Sequence, residues 1–437
     1  MKQISIKLFL LFTVFTVNNV SAQTLQEMIN KALADNYQIN ILKNEAQIAT
    51  NNNVIGNTGA LPTIDLGADY SYAFKVANQD FADGTTRNGA DANNTNLGLS
   101  AMINWTAFDG LRVYAKRDQL NYLEQLGQVN SKFFIEQTVS DIVTAYHQIV
   151  YEKQLLKNYQ QSLDISAFRF TLEKKRKEVG AGKAMDYGLA LVDYQTDSIR
   201  LLGQQNTIKA LQTELNNVLN NALEQELIIS DADFSFIAIP SKDVLLENVN
   251  KANQQLEKQR LQELIAETEL RIAKANRYPK IDLFAGFQYS RSTAAVGFIN
   301  SNQSFGPIAG ISINYNLYNG GAVNRDIKNT KIEIENTGLT RKQVDNDVNT
   351  TVLNFINEYN TIVSQIDLAK SNVTEMTKVY KTAEEQLKQG AINGYDFRLT
   401  QLSLLNSELS LMQYQFTLKA IEVNLNRLSG KVLETYI

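Results

Sequence analysis

"LPTIDLGADYSYAF" (residues 61–74) places Ile64, Leu66, Ala68, Tyr70, Tyr72 and Phe74 at alternate positions, with Asp65, Gly67, Asp69, Ser71 and Ala73 between them. A period of two predicts a β-strand with one apolar face and one small or polar face. A related phrase returns at 278–290 as "YPKIDLFAGFQYS". Both interrupt a chain whose other apolar residues recur at helical spacing, so the strands need partners that their neighbours in sequence do not supply.

The two phrases belong to a duplication. Pro62-Thr-Ile-Asp-Leu66 matches Pro279-Lys-Ile-Asp-Leu283 at an offset of 217, and "NWTAFDGLRVYAKRD" (104–118) resembles "NYNLYNGGAVNRDIK" (314–328) at 210. "VGAGKAMDYGLALVD" (179–193) matches "QGAINGYDFRLTQLS" (389–403), again at 210. The offset changes between the strand entries and exits, so the loop joining the strands is longer in the first repeat, as an exposed hairpin tolerates. The expected organisation is repeat one over 23–220, a linker over 221–242 and repeat two over 243–437. Repeat one reads as a helix (24–58), strands at 63–75 and 95–108, and a long helix pair over 110–220 that breaks near 180. Repeat two reads as a helix (243–276), strands at 280–291 and 307–318, and a helix pair over 321–429 that breaks near 390, with a short tail. The four prolines avoid the long helices, where each would cost about 3 kcal/mol.

In the second repeat Val348, Val352, Phe355, Tyr359, Ile362, Ile366, Ala369, Val373, Met376, Tyr380, Ala383 and Leu387 alternate steps of four and three. That is a heptad seam, and it requires a helical partner along its length. About 70 residues at ~1.5 Å each make a helix of roughly 105 Å. The seam of the first repeat is interrupted by Lys153 and Gln160.

Residues 1–22 read as an export signal: Lys2 and Lys7, the apolar run "LFLLFTVFTV" (8–17), then the small-residue site "VSA" (20–22). The run is shorter than the ~20 residues of a membrane helix. The 437 residues contain no cysteine, which excludes disulfides, thiolate metal sites and a lipidated N-terminal cysteine. A net charge of −4 without a concentrated basic surface speaks against nucleic-acid binding. No Gly-rich phosphate loop follows a strand, and no nucleophile elbow or triad order is present, so neither catalysis nor a cofactor is expected. One His and six Met argue against a dedicated soft-metal exporter.

The remaining strands carry the same alternation. Their apolar rows are Leu97, Leu99, Ala101, Ile103 and Trp105; Ile281, Leu283, Ala285, Phe287 and Tyr289; and Ala309, Ile311, Ile313, Tyr315 and Leu317. Each has about the ~9–11 residues of a tilted membrane strand, and aromatics gather toward the strand ends. A soluble antiparallel sheet would show similar alternation. The export signal and the duplication favour a membrane barrel, with Ile64, Leu66, Tyr70, Tyr72, Phe74, Trp105, Ile281, Leu283, Phe287, Tyr289, Ile311, Ile313 and Tyr315 facing lipid. Four strands cannot close, since single-chain membrane barrels start at ~8, and open edges in lipid leave backbone groups unpaired. Several chains must contribute, and three give twelve strands.

At these residues the chain resembles the TolC family of trimeric outer-membrane efflux ducts. The resemblance rests on the duplicated Pro-x-Ile-Asp-Leu entries, the exits "WTAFDG" and "YNLYNGG", and the breaks "VGAGKAMD" and "QGAINGYD". It covers essentially the whole chain after the export signal. It implies a homotrimer in the cell outer membrane whose twelve-stranded barrel continues into a periplasmic tunnel of coiled helices. The implied partners are a periplasmic adaptor protein and an inner-membrane pump, with outer-membrane lipid around the barrel. The same resemblance assigns the breaks to the periplasmic tips, where the duct closes and adaptors dock: Val179, Gly180, Ala181, Gly182 and Lys183, and Gln389, Gly390, Ala391, Ile392 and Asn393. Asp186 and Asp396 match acidic positions at the mouth, and a ring of such carboxylates favours cations; each could equally cap the helix that follows it. Some members carry a second Asp one turn later. This chain has Leu399, matched by Leu189 in repeat one, so an apolar constriction there is the alternative. "EKKRKE" (173–178) is either a solvated helix face or a polar contact for an adaptor, and His147 is read as an ordinary packing or surface residue. Two rival functions stay open: a secreted coiled-coil surface protein without a channel, and an autonomous porin.

Overall fold

The computed structural model describes residues 24–89, 92–229, 234, 236–294 and 299–437; the expected export signal lies outside them. The first repeat contains α1 (Leu25–Asp35), α2 (Tyr37–Asn52), a 3-10 turn (Ile55–Thr58), β1 (Thr63–Ala73), β2 (Ala77–Asp80), β3 (Thr86–Gly89), β4 (Asn94–Phe108), α3 (Arg112–Glu178) and α4 (Ala184–Val218). The second contains α5 (Lys242–Ala252), α6 (Gln254–Ala275), β5 (Lys280–Ala294), β6 (Ser301–Asn314), α7 (Ala322–Lys388), α8 (Gly394–Leu428) and α9 (Val432–Tyr436). Helices α3 and α7 have 67 residues each, and α4 and α8 have 35 each, so the duplication is metrically faithful.

Two compact units share the chain. One comprises Met1–Tyr37, Glu136–Leu245 and Val352–Ile437, and the other Gln38–Ile135 and Leu246–Thr351. The second unit holds the sheet, in the antiparallel order β1-β4-β5-β6. Pairing of β4 with β5 joins the two repeats. The register sets apolar residue against apolar residue: Ile64 opposes Ile103, Trp105 opposes Leu283, Phe287 opposes Pro307, and Ile281 opposes Ile313. A one-residue slip would invert every such pair. Glycines set the spacing at one point. A Cβ on Gly286 would collide with the Ala101 carbonyl oxygen, whereas one on Gly306 would meet nothing within 4 Å.

The fourth strand differs from its sequence expectation. It runs Ser301–Asn314 rather than 307–318, and Tyr315 and Leu317 lie beyond its end. Its last partner is Lys280, which follows Pro279, and a proline cannot donate to a continuing ladder. Pro307 sits inside the strand instead of opening it; β6 is an edge of the sheet, where a missing donor can fall on the unpaired side. Between β1 and β4 the chain adds a short antiparallel β2–β3 ribbon.

The helices expected over 24–58 and 243–276 are interrupted at Asn36 and Asn253, and the first ends at Asn52, before the 3-10 turn. Asn36 (φ −63°, ψ 123°) and Asn253 (φ −69°, ψ 120°) are extended. Asn253 keeps both flanking helices satisfied: its N–H donates to the Val249 carbonyl, and its side chain accepts from the amides of Gln255 and Leu256. Asn36 Nδ2 donates to the Val218 carbonyl at 2.9 Å. Asparagine favours such half-in positions because its side chain substitutes for backbone partners.

The first unit has the main apolar core, built from Met28, Ile29, Val139, Ile142, Ile149, Leu215, Leu219 and Val423 with the linker residues Leu227 and Ile229. The linker is pinned rather than loose. Lys153 Nζ, which interrupted the seam in sequence, donates to the Ile229 carbonyl at 3.1 Å, and the Ile237 amide donates to Glu422 at 3.0 Å. Glu422 also accepts from Lys419 and from the Tyr436 hydroxyl, which docks α9. None of the twelve seam residues of α7 is exposed.

Replacing Gly286 with Val should abolish recovery of folded protein from membranes, whereas Gly306→Ala should leave it within about two-fold; equal recovery of both would contradict the register.

Candidate functional site

The sheet presents two chemically distinct faces. Alternation combined with the register puts Ile64, Leu66, Tyr70 and Tyr72 on the same face as Trp105, Ile281, Leu283, Phe287, Tyr289, Ile311 and Ile313. Phe74 and Tyr315 fall just outside their strands. Leu66 and Phe74 are each 84% exposed, a large apolar surface without cover in the single chain. The opposite face is polar and cross-linked by side chains. Asn104 Nδ2 donates to Asp65 at 2.9 Å, Thr106 Oγ1 to Asp282 at 2.7 Å, and Ser292 Oγ to Asn96 at 2.8 Å. Met102, Phe284 and Ile308 interrupt that polar face.

The helix breaks have matching geometry. Gly180 (φ 76°) and Gly390 (φ 73°) adopt left-handed backbone, which disfavours any residue with a Cβ. The Ala181 amide donates to the Arg176 carbonyl and the Gly180 amide to Lys177; Ala391 and Gly390 donate likewise to Gln386 and Leu387. This is the Schellman closure of a helix C-terminus. Val179, Ala181, Lys183, Gln389, Ala391 and Asn393 are exposed at these turns, and Gly182 and Ile392 half-buried.

Asp186 and Asp396 do not cap their helices. Lys183 occupies the cap of α4 without a side-chain bond, and Asn393 caps α8, accepting from the amides of Tyr395 and Asp396 at 2.9 Å each. Both aspartates sit in the first helical turn, where the dipole favours a carboxylate. Asp396 and Leu399 share an exposed helical face, and Leu189 is likewise exposed, while Asp186 is half-buried.

Sequence reasoning missed the polar cluster behind that face. Arg398, 6% exposed, makes a two-pronged pair with Asp197 at 2.8 and 2.9 Å, and also donates to Gln401. Ser162 of α3 donates to Asp197 at 3.1 Å, and Arg169 pairs with Asp193 at 2.8 Å. The cluster therefore ties α8 to both α3 and α4. The signal was present: Arg398, Gln401, Leu405, Glu408 and Met412 follow the 3/4 spacing of a core seam, with polar residues in core positions. His147 is also buried, with Tyr146 edge-on to its ring at 5.4 Å and Phe234 tilted against it at 5.7 Å. Burial first, and the positive charge of Lys419 second, push its pKa down to about 4 and keep the imidazole neutral.

No helix among the described residues is long and apolar enough to cross a membrane. Among the described residues no group of three or more His, Cys, Asp or Glu is placed to hold a metal.

Residues 245–431 match the family described as Outer membrane efflux protein. The chain is 21% identical to the Outer membrane protein TolC of Escherichia coli (strain K12) over 389 residues, covering 86% of this chain and 75% of that one. It is 21% identical to the Proteases secretion protein PrtF of Dickeya chrysanthemi over 455 residues, covering 98% and 93%. Its fold is similar to that of the outer membrane protein VceC from Vibrio cholerae, with a TM-score of 0.73 at 16% identity, covering 93% and 96%. The family match falls on the second repeat, while the likeness to TolC in sequence and to VceC in fold runs over most of the chain.

Asp197→Ala should destabilise the helical unit by roughly 3–5 kcal/mol, because it leaves Arg398 buried without a counter-charge. The double variant Asp197→Leu with Arg398→Met should recover most of that loss. Thermal unfolding followed by helical circular dichroism checks both.

Proposed function

We propose that three copies of this chain close a twelve-stranded barrel, β6 of each pairing with β1 of the next, and that the assembly exports solutes when an adaptor and an energised inner-membrane pump engage its helix tips. The observation that carries this reading is the sheet itself: four strands, one face apolar along most of its length and turning polar at Arg291 and Gln303, and two edges without a partner strand among the described residues. In lipid each unpaired backbone group costs several kcal/mol, so closure between copies is the available solution. The apolar row from Ile64 to Ile313 then faces lipid, and Asp65, Asp69 and Ser71 face the lumen.

At the helix breaks, Asp396 and Leu399 line the closed mouth of the proposed duct, with Asp186 and Leu189 contributed by the first repeat. Asp396 supplies a ring of carboxylates that concentrates cations, and Leu399 a ring that excludes water. Engagement of the tips shifts the population from closed to open. A surface fibre without a channel would leave the two-faced sheet unexplained. An autonomous porin would have no use for paired helices of 67 and 35 residues.

In planar bilayers the purified protein should conduct with cation preference, and Asp396→Ala should lower that preference and weaken block by multivalent cations. Unchanged single-channel behaviour would remove Asp396 from the lumen, and absence of conductance in any condition would overturn the duct.

A further inference from the structure

The duplication supplies an internal control at the helix tips. The first-repeat tip, residues 173–183, carries Lys174, Lys175, Arg176, Lys177 and Lys183 against Glu173 and Glu178. The equivalent stretch of the second repeat, 383–393, carries Lys388 against Glu384 and Glu385. Lys174 and Lys175 align with Glu384 and Glu385, a reversal of sign at matched positions. Basic residues in a last helical turn complement the helix dipole, but that need is the same at both ends, since both close with the same hydrogen bonds and a left-handed glycine. The fold therefore does not require the basic run.

Within the first tip some charge is already engaged. Arg176 pairs with Glu173 at 3.0 Å, and Lys177 lies over the Tyr187 ring at 4.2 Å. Lys174, Lys175 and Lys183 are exposed and make no ion pair among the described residues. Beside them Val179 is 78% exposed and Met185 69% exposed. Val179 lies one helical turn beyond Lys175, to whose carbonyl its amide donates at 3.1 Å, and exposed apolar residues interspersed with ammonium groups have the composition of a docking surface with a polar rim.

Resting on the reading that adaptors engage these tips, we infer that the two tips are not equivalent: the first-repeat tip receives an acidic segment of the adaptor, held by Lys174, Lys175 and Lys183 around Val179, and the second-repeat tip receives a segment without that charge. The arrangement steers the adaptor toward one of two otherwise similar hairpins and rejects the register shifted by one hairpin, because like charges would then meet at Glu384 and Glu385. Six near-equivalent tips in a trimer thereby become three preferred sites alternating with three others.

The test uses the full-length protein in the outer membrane of its own cell, with a photo-crosslinking amino acid at Val179 or at Gln389 and sequencing of the joined peptide. The inference predicts that the Val179 adduct is an adaptor peptide rich in Asp and Glu. It predicts that Lys174→Glu with Lys175→Glu cuts this adduct about ten-fold, and that reversing the acidic residues of the peptide restores it to within about two-fold. The Gln389 adduct should change less than two-fold. A neutral or basic peptide at Val179, an adduct insensitive to charge reversal, or an adduct to phospholipid overturns the inference while leaving the duct intact. No protein adduct at either tip overturns the adaptor reading itself, and this inference with it.

Discussion

A β-strand's backbone amide or carbonyl inside a bilayer has nowhere to hydrogen-bond except another strand. The four-stranded sheet of this chain satisfies its interior and leaves β1 and β6 bare along their outer sides. Every larger feature of the proposed duct follows from that deficit. Closure requires further copies, copies around one axis give rotational symmetry, and symmetry repeats whatever the helix tips carry. A soluble sheet could cover its edges with a loop or a charged side chain; a sheet in lipid cannot.

The duplication explains how one chain supplies two dissimilar halves of each repeat unit. Equal helix lengths and equal closing turns in the two repeats keep the hairpins interchangeable in shape. Their chemistry has diverged where shape does not depend on it. Leu111 retains a left-handed backbone (φ 68°) where the second repeat has Gly321 (φ 77°), so one copy tolerates strain that the other has shed. The buried Arg398–Asp197 pair holds α8 of the second repeat against α4 of the first, and the repeat-equivalent of Arg398 is Gly188, which has no side chain to make such a pair.

Much of this was legible in the sequence because membrane strands and long paired helices obey short periods. The alternation of Ile64 to Phe74 and the seam from Val348 to Leu387 needed no knowledge of distant contacts. What escaped reading depends on such contacts. The end of β6 at Asn314 follows from Pro279 on the neighbouring strand, not from the apolar Tyr315 and Leu317 that extend the pattern. The breaks at Asn36 and Asn253 turn on single side chains that satisfy helix ends. Asp186 and Asp396 were open to a capping role as well as a lumenal one, and Asn393, three residues before Asp396, takes the cap of α8. Arg398 could have been suspected from its seam position, but its partners on α3 and α4 lie 201 to 236 residues away.

The central claim is that β1 and β6 are joined between chains. The protein has no cysteine of its own, so Tyr70→Cys on β1 can be combined in turn with Cys at Phe305, Pro307, Ala309 and Ile311 on β6, and oxidised in isolated outer membranes. The account predicts that at one register the chains link into a series that ends at three. No linked species at any register, or links confined within single chains, would contradict it.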